Sequence, residues 1–506
     1  MEALLMALMA SVSGIRGTFG DGLDPQTLVS YAAAYGQWIR QQSGQSLDGE
    51  VNQGDSAQGN STQGESFKAG DNPVIIVGRD SRVTGEICEH LVTATLRSLG
   101  INVITLGIVP TPTVAMAVLH HQANGGIILS ASHNPAEWNA LKLLNHRSEF
   151  LDPSQGAEVL ALLNQGAGEP SLDADNNSTS ISWASWDQTG VLSADMEAVE
   201  RHIEAILAHP WIDREAIRRA GLRVAVDAVN GAGSEAIPAL LTSLGVKVHA
   251  LHCTPDGYFP HNPEPLAEHL GDICDFVKEH RANLGVVTDP DADRLALVDE
   301  HGALFGEEYT QAIAFDWALE QADKERKEAT SLNVATNLSS SRVADWVAEK
   351  HGATCVRSAV GEIHVVKAMQ THDAIMGGEG NGGVIDPQLH YGRDALMGVA
   401  IVLHQMATRE MSASECRASY PTFVMSKQKR ALDELGMDAK SFLDRVANAY
   451  GHLSPNTDDG VKVDFERGWV HMRTSNTEPI IRFYSEAPSA TEADALIETV
   501  LSEVGV

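Results

Sequence analysis

Basic residues are scarce in this chain: 36 Lys and Arg stand against 68 Asp and Glu, a net charge of −32 with histidine neutral. Nucleic acid and anionic membranes attract basic surface, so general affinity for either is excluded. Cysteine is scarce too, five residues that are scattered and without CxxC spacing. An odd number so placed fits reduced thiols in a cytoplasmic protein rather than a disulfide framework. No apolar run reaches the length of a membrane span. The opening MEALLMALMASVSG holds a short apolar stretch, but its leading segment carries Glu2 and no Lys or Arg, the wrong start for a secretory signal. A cytoplasmic start that forms a first strand is expected. A Gly-x-Ser-x-Gly elbow is also missing, which argues against an esterase triad.

What is present is ordinary globular material, 43% apolar and 21% charged. At 506 residues the chain is too long for one core, so several domains are expected. Residues 41–70 and about 168–190 are polar and poor in large apolar side chains, and read as flexible surface loops. Elsewhere short β-rich runs alternate with helical stretches. NPVIIVGRD, INVITLGIVP and GGIILSASHNP are strands running into polar loops, and the unit returns in LRVAVDAVNGAG, ANLGVVTDPDADR and SLNVATNLSSS. The alternation predicts α/β units with largely parallel sheets, repeated about three times. The end of the chain, with GWVHMRTSNTEPIIRFYSEA and a final helix, reads as a smaller α+β domain. The expected limits are 1–190, 191–303, 304–415 and 416–506.

Ligands of open α/β sheets bind at the carboxyl ends of strands, and four loops at such ends carry chemistry. SASHNPAEWNALKLLN sets Ser132 beside His133 and Asn134, with Lys142 on the next strand, the makings of an activated hydroxyl. A loop serine by itself is more often a turn or cap residue. TDPDADRLALVDE alternates Asp289, Asp291 and Asp293, a hard-oxygen set suited to Mg²⁺, because three close carboxylates repel without a cation. A solvated acidic loop is the plainer alternative. An EF-hand fits less well: Glu300 falls at position 12, but Arg294 replaces the glycine of position 6 and LALV reads as a buried strand.

GGEGNGGVI allows close backbone approach, with Glu379 and Asn381 able to bind sugar hydroxyls, and HYGRDA nearby supplies His390 and Arg393. RTSNTEPIIR places Arg473, Ser475, Asn476 and Thr477 around one turn, suited to a phosphate dianion or equally to a capped turn with a solvated Arg.

Together, and in this order, the four loops closely resemble the α-D-phosphohexomutase superfamily, with SVSGIRGTFG and GRDSRVTG as further matching motifs. The likeness covers nearly the whole chain outside the two polar stretches. NALKLLN, DPDADR, GGEGNGGVI and HYGRDA look most like its phosphoglucosamine mutase branch, with phosphomannomutase and phosphoglucomutase as the alternative. The resemblance implies three related α/β domains and a fourth, smaller α+β domain around a central cleft. It implies transfer of a phosphoryl group between C1 and C6 of a hexose through phosphorylated Ser132 and a hexose 1,6-bisphosphate. Mg²⁺ would be held by Asp289, Asp291, Asp293 and the Ser132 phosphate. Arg16, His133, Lys142 and Arg294 would surround the transferring group, Glu379 would bind the sugar, and Arg473, Ser475, Asn476 and Thr477 the other phosphate. Such local cations, Arg79 included, would answer the repulsion that the net charge imposes on an anionic substrate.

Two departures stand out. Asn381-Gly382-Gly383 replaces the family's Ser-Gly-His, so the acid/base role passes to Lys142 or His390, and Pro290 stiffens the metal loop where Gly is usual. The expected partner is a small sugar phosphate, with no nucleic acid and no membrane, and the expected state is monomer or homodimer. A metal-dependent phosphatase and a non-catalytic sugar-phosphate sensor are the rival classes.

Overall fold

The structure, a computed structural model, describes residues 9–11, 14–45, 72–166, 181–325, 332–474 and 480–506. Ser475, Asn476 and Thr477 lie outside them, as do residues 46–70 and 168–180 of the two polar stretches. No described helix is long and apolar enough to cross a membrane.

Four sheets organise the described chain, and three repeat one plan. In the first, Val74–Arg79 lies between Asn102–Ile108 and Gly125–Leu129, parallel to both, and Trp138–Leu144 returns antiparallel beside Gly125–Leu129. In the second, Arg223–Asp227, Lys247–Leu251, Leu284–Thr288 and Leu295–Asp299 take those four places in turn. In the third, Asn333–Asn337, Thr354–Ser358, Met376–Glu379 and Gly383–Ile385 do so. The fourth sheet is wholly antiparallel, in the order Val424–Ala431, Ile480–Ala487, Gly468–Thr474, Val461–Phe465. The fold is three related α/β domains plus a smaller α+β domain.

Apolar patterning explains why the central strands are parallel and covered on both faces. In GGIIL, Ile127 and Leu129 enter one core cluster while Ile128 enters another on the opposite face. The second and third domains share one core, in which Ile217, Leu240, Val286 and Leu297 meet Val334, Val347, Met376 and Leu396. Each such fully buried side chain contributes roughly 1.5–3 kcal/mol, so this pair forms a single block. The fourth domain keeps its own core around Phe442, Val463, Phe483 and Ile497. It meets the third through polar contacts: His471 Nδ1 lies 2.8 Å from Ser339 Oγ, and Asp459 accepts from Val360 N at 3.0 Å.

Three expectations need correction. Leu192–Ala194 lies past the expected limit at 190, yet it pairs with Asn102–Ile108 of the first sheet. Residues 41–45, expected in a loop, end the helix Pro25–Gln45. Residues 181–190 lie against the first domain, where Ala184 N donates to Ser98 O at 2.9 Å and Gly190 N to Arg97 O at 2.8 Å. Backbone pairing, invisible in a polar composition, holds them there.

Candidate active site

The loop between the third and fourth strands of each repeat faces one common site. The first repeat gives Ser132, the second Asp289, Asp291 and Asp293, and the third the turn between Glu379 and Gly383.

Ser132 is buried, with a positive φ of 50°. A non-glycine residue in that region costs on the order of 1 kcal/mol and persists only where its surroundings fix it. Ser130 and Arg82 do the fixing. Ser132 N donates to Ser130 Oγ at 2.9 Å, and Ser130 Oγ donates to Asp80 Oδ2 at 2.6 Å. Arg82, 1% exposed, pairs with Asp80 at 2.9 Å and donates to the carbonyls of Ser132 at 2.6 Å, Asn134 at 2.8 Å and Trp138 at 3.1 Å. Its Nη1 also donates to Pro135 O. The fork of donors suits several carbonyls at once, which a lysine could not reach.

Ser132 Oγ donates to Asp289 Oδ2 at 2.7 Å across the boundary of the first two domains. Asp289 Oδ1 accepts from the amides of Asp293 and Arg294, each at 3.2 Å. Asp291 Oδ2 accepts from Thr111 Oγ1 at 2.5 Å and Lys142 Nζ at 2.6 Å. Arg393 Nη2 donates to Asp293 Oδ2 at 2.7 Å. All three carboxylates are fully buried, and their ligand atoms lie within 4.8 Å of one another. Oδ1 of Asp291 and Oδ1 of Asp293 have no hydrogen-bond partner. Buried orphan oxygens are expensive, and an oxygen set this crowded fits a hard divalent cation. Burial, then the charges of Asp293 and Asp291, pushes Asp289 well above the carboxylate range. Burial would raise Asp291 as well, but Lys142 beside it holds that carboxyl below its ordinary value.

Cations wall the other side. Arg16 on Gly14–Phe19 and Lys142 on Trp138–Leu144 are diagonal neighbours of one antiparallel pair, since Gly14 faces Lys142 and Arg16 faces Ala140. Arg16 Nη1 reaches Asn134 Oδ1 at 3.4 Å. Arg294 Nε stands 3.9 Å from both Asp289 and Asp293. His133 Nδ1 is 3.4 Å from Ser132 Oγ. Burial, then Arg294, Arg16, Arg393 and Lys142, holds His133 well below the usual imidazole value, so it is neutral at pH 7. Burial would lower Lys142, but Asp291 and Asp293 outweigh it and keep the ammonium charged.

Arg393 is the residue sequence reading undervalued. Buried among three carboxylates, it also lies 3.0 Å from Glu379 Oε2 and 2.8 Å from Glu362 Oε2. Glu379, expected at the sugar, is buried, and its Oε1 accepts from Asn337 Nδ2 at 2.9 Å. Asn381 Oδ1 accepts from Gly383 N at 3.2 Å and shapes the turn. Gly382, at φ 88°, accepts from Leu295 N at 3.0 Å, which docks the third repeat's turn against the second.

His390 sits elsewhere in the cluster. It is buried with its Nε2 3.3 Å from Asp394, whose Oδ2 also lies 2.8 Å from His202, and among the described residues no hydrogen bond joins it to Ser132. Arg79 pairs with Glu89 at 2.8 Å, so its charge is spent on the helix Gly85–Ser98. Arg473 lies 3.1 Å from Asp459.

Four family models match the chain in the order of its sheets. They are described as phosphoglucomutase/phosphomannomutase α/β/α domains I, II and III and the C-terminal domain, over residues 56–168, 200–302, 301–423 and 428–503. The chain belongs to the phosphoglucomutase/phosphomannomutase family. This family member is 33% identical to a phosphoglucomutase/phosphomannomutase of Thermococcus kodakarensis, over 97% of each chain. It is 30% identical to a probable phosphoglucosamine mutase of Methanopyrus kandleri, over 96% of this chain and 95% of that one. The fold matches a crystal structure of a phosphoglucomutase/phosphomannomutase family protein from Burkholderia thailandensis with a TM-score of 0.76, at 22% identity and covering 98% of both chains.

Proposed function

We propose that this family member interconverts hexose 6-phosphates and 1-phosphates through phosphorylated Ser132 and a hexose 1,6-bisphosphate, with glucosamine 6-phosphate as preferred substrate. The observation that carries the reading is Ser132 Oγ, 2.7 Å from Asp289 and facing a wall of Arg16, Lys142, Arg294 and Arg393. Such a wall offsets the charge on the equatorial oxygens of a transferring phosphoryl group. It also answers the repulsion that a net charge of −32 imposes on an anionic substrate.

Asp289, Asp291 and Asp293 would hold Mg²⁺ together with an oxygen of the Ser132 phosphate, and the bound ion supplies Lewis-acid stabilisation of the transferring oxygens. In the first transfer the Ser132 Oγ–P bond breaks as a bond from the substrate's free hydroxyl to that phosphorus forms. The proton that the hydroxyl loses ends on Ser132 Oγ. Neutral His133, 3.4 Å from Oγ, is placed to steady that leaving oxygen as it is protonated, while charged Lys142 adds positive charge beside Asp291. The bisphosphate then reorients and returns its other phosphate to Ser132, reversing both changes. Glu379 would bind sugar hydroxyls once Arg393 shares it with the ligand, and the turn from Arg473 through Ser475, Asn476 and Thr477 would grip the phosphate at rest. The fourth domain, held by polar contacts and a core of its own, is suited to closing over the substrate and excluding water.

Identity to a probable phosphoglucosamine mutase over nearly the full length supports the amino sugar. The Thermococcus relative favours a second reading, phosphomannomutase or phosphoglucomutase activity. A coupled assay with Mg²⁺ and a trace of hexose 1,6-bisphosphate separates them. A kcat/KM at least about tenfold higher for glucosamine 6-phosphate than for mannose 1-phosphate or glucose 1-phosphate is expected. The opposite order selects the second reading, and turnover of none of the three overturns both.

A further inference from the structure

A second cluster of ligand-type side chains lies away from Ser132. Asp227 closes the strand Arg223–Asp227, and His252 follows the neighbouring strand Lys247–Leu251. Asp227 Oδ1 is held by the amide of Val229 at 2.9 Å. Its Oδ2 faces two rings, with His252 Nδ1 at 3.0 Å and His261 Nε2 at 3.2 Å.

The far side of the His261 ring decides what can stand between them. His261 Nδ1 lies 2.8 Å from the carbonyl of Asn262, and a carbonyl only accepts, so Nδ1 carries the hydrogen. In the neutral ring Nε2 then presents a lone pair to a carboxylate oxygen, which is repulsive unless a second proton or a metal cation stands between them. A backbone carbonyl that fixes the tautomer is also how metal-binding imidazoles are oriented. The ligand atoms all lie within 4.8 Å of one another. Separations of 3.0 and 3.2 Å suit the edges of a coordination shell with bonds of about 2.0–2.2 Å. The side chains of His252 and His261 are 19% and 12% exposed, which lets water complete the shell.

We propose that Asp227, His252 and His261 form a second divalent-cation site, of the Zn²⁺ class, that clips residues 252–261 to the end of the strand Arg223–Asp227, beside the loop carrying Arg82. Two imidazoles and one carboxylate suit a borderline metal, whereas the three aspartates of the active site suit a hard one, so the sites differ in preference. The clipped segment is already threaded toward the first domain. Thr254 N donates to Asn230 Oδ1 at 3.0 Å, and Asn230 Nδ2 donates to Tyr258 O at 3.1 Å. Ser81 Oγ donates to Asn230 O at 2.7 Å, and the ring of Phe259 lies 5.0 Å from the Arg82 guanidinium. Through Arg82 the clip reaches the carbonyl of Ser132.

The test uses the full-length protein, stripped by chelator and titrated with Co²⁺ in millimolar Mg²⁺, and reads the visible ligand-field bands. One equivalent of Co²⁺ with imidazole-type bands is expected, weakened at least about tenfold in both His252→Gln and His261→Gln. The bands survive in Asp289→Asn, which separates this site from the active site. Zn²⁺ should raise the thermal midpoint of the wild type and leave that of His261→Gln unchanged. Both histidines are partly exposed and near-UV circular dichroism checks each fold, so two independent variants carry the result. Identical cobalt spectra in the wild type and both variants overturn the site. So does a His261 ring that remains an imidazolium by NMR in equimolar Zn²⁺.

Discussion

Arg393 Nη2 lies 2.7 Å from Asp293 Oδ2, so a residue of the third repeat neutralises the acidic loop of the second. The same guanidinium reaches Glu379 and Glu362, so one charge bridges the aspartate loop and the glycine-rich turn. Arg393→Lys keeps the charge and loses the fork, leaving two of three carboxylates unpaired. Uncompensated buried charges cost on the order of 3–5 kcal/mol. A fall in kcat/KM of at least about 100-fold is expected, together with a lower thermal midpoint. A variant within about threefold of wild type would show that the three contacts are dispensable.

Arg82 never touches the reacting atoms in this geometry; it holds the carbonyls around Ser132. Arg82→Lys should therefore slow the loading of Ser132 from a radiolabelled bisphosphate by at least about tenfold, while KM for the monophosphate changes little. Equal loading rates in the two proteins would remove Arg82 from the positioning of the nucleophile.

Gly382 offers a test of the interface between repeats. A Cβ there would lie 2.5 Å from Leu295 O, and φ is 88°. Neither the backbone nor the neighbour can relax cheaply, so Gly382→Ala should destabilise by roughly 1–3 kcal/mol. Urea unfolding of the shared second and third domains reads this, and a shift within about 0.5 kcal/mol would contradict the close approach.

Glu308 sits buried under the glycine-rich turn, accepting from Ser341 N at 2.9 Å and Gln311 Nε2 at 3.1 Å. Burial pushes its carboxyl up from 4.5 to about 8. The folded state thus binds a proton that the unfolded chain releases near 4.5. Its contribution to stability is full below that pH and is lost as pH rises through about 8. Gln mimics the protonated acid at every pH. Glu308→Gln should match wild type at pH 5 and exceed its thermal midpoint by a few degrees at pH 9, since the other groups titrate alike in both. A difference that does not widen with pH would refute the shift.

Much of this was legible in the sequence. Ser132, the alternating aspartates and the glycine-rich turn are local patterns at strand ends, and strand-end loops are where such folds bind ligands. Arg82, Thr111 and Glu362 were not, because their roles rest on contacts with residues far away in the chain that no periodicity encodes. Arg393 was visible beside His390, but nothing in HYGRDA says which of the two turns toward the aspartates. The structure gives that place to Arg393 and sets His390 against Asp394. The polar run at 181–190 misled for the same reason: composition reports the side chains, while that segment is held by its backbone.

The repeated strand order has a consequence for how this site changes over evolution. Because each copy of the plan lends the same hairpin to one centre, a substitution there alters a single loop, whether that of Ser132, that of the three aspartates or the glycine-rich turn. The other two copies keep their own scaffolds. Repeating one plan three times thus leaves the three loops separately adjustable, where a single-domain site would have to change them together.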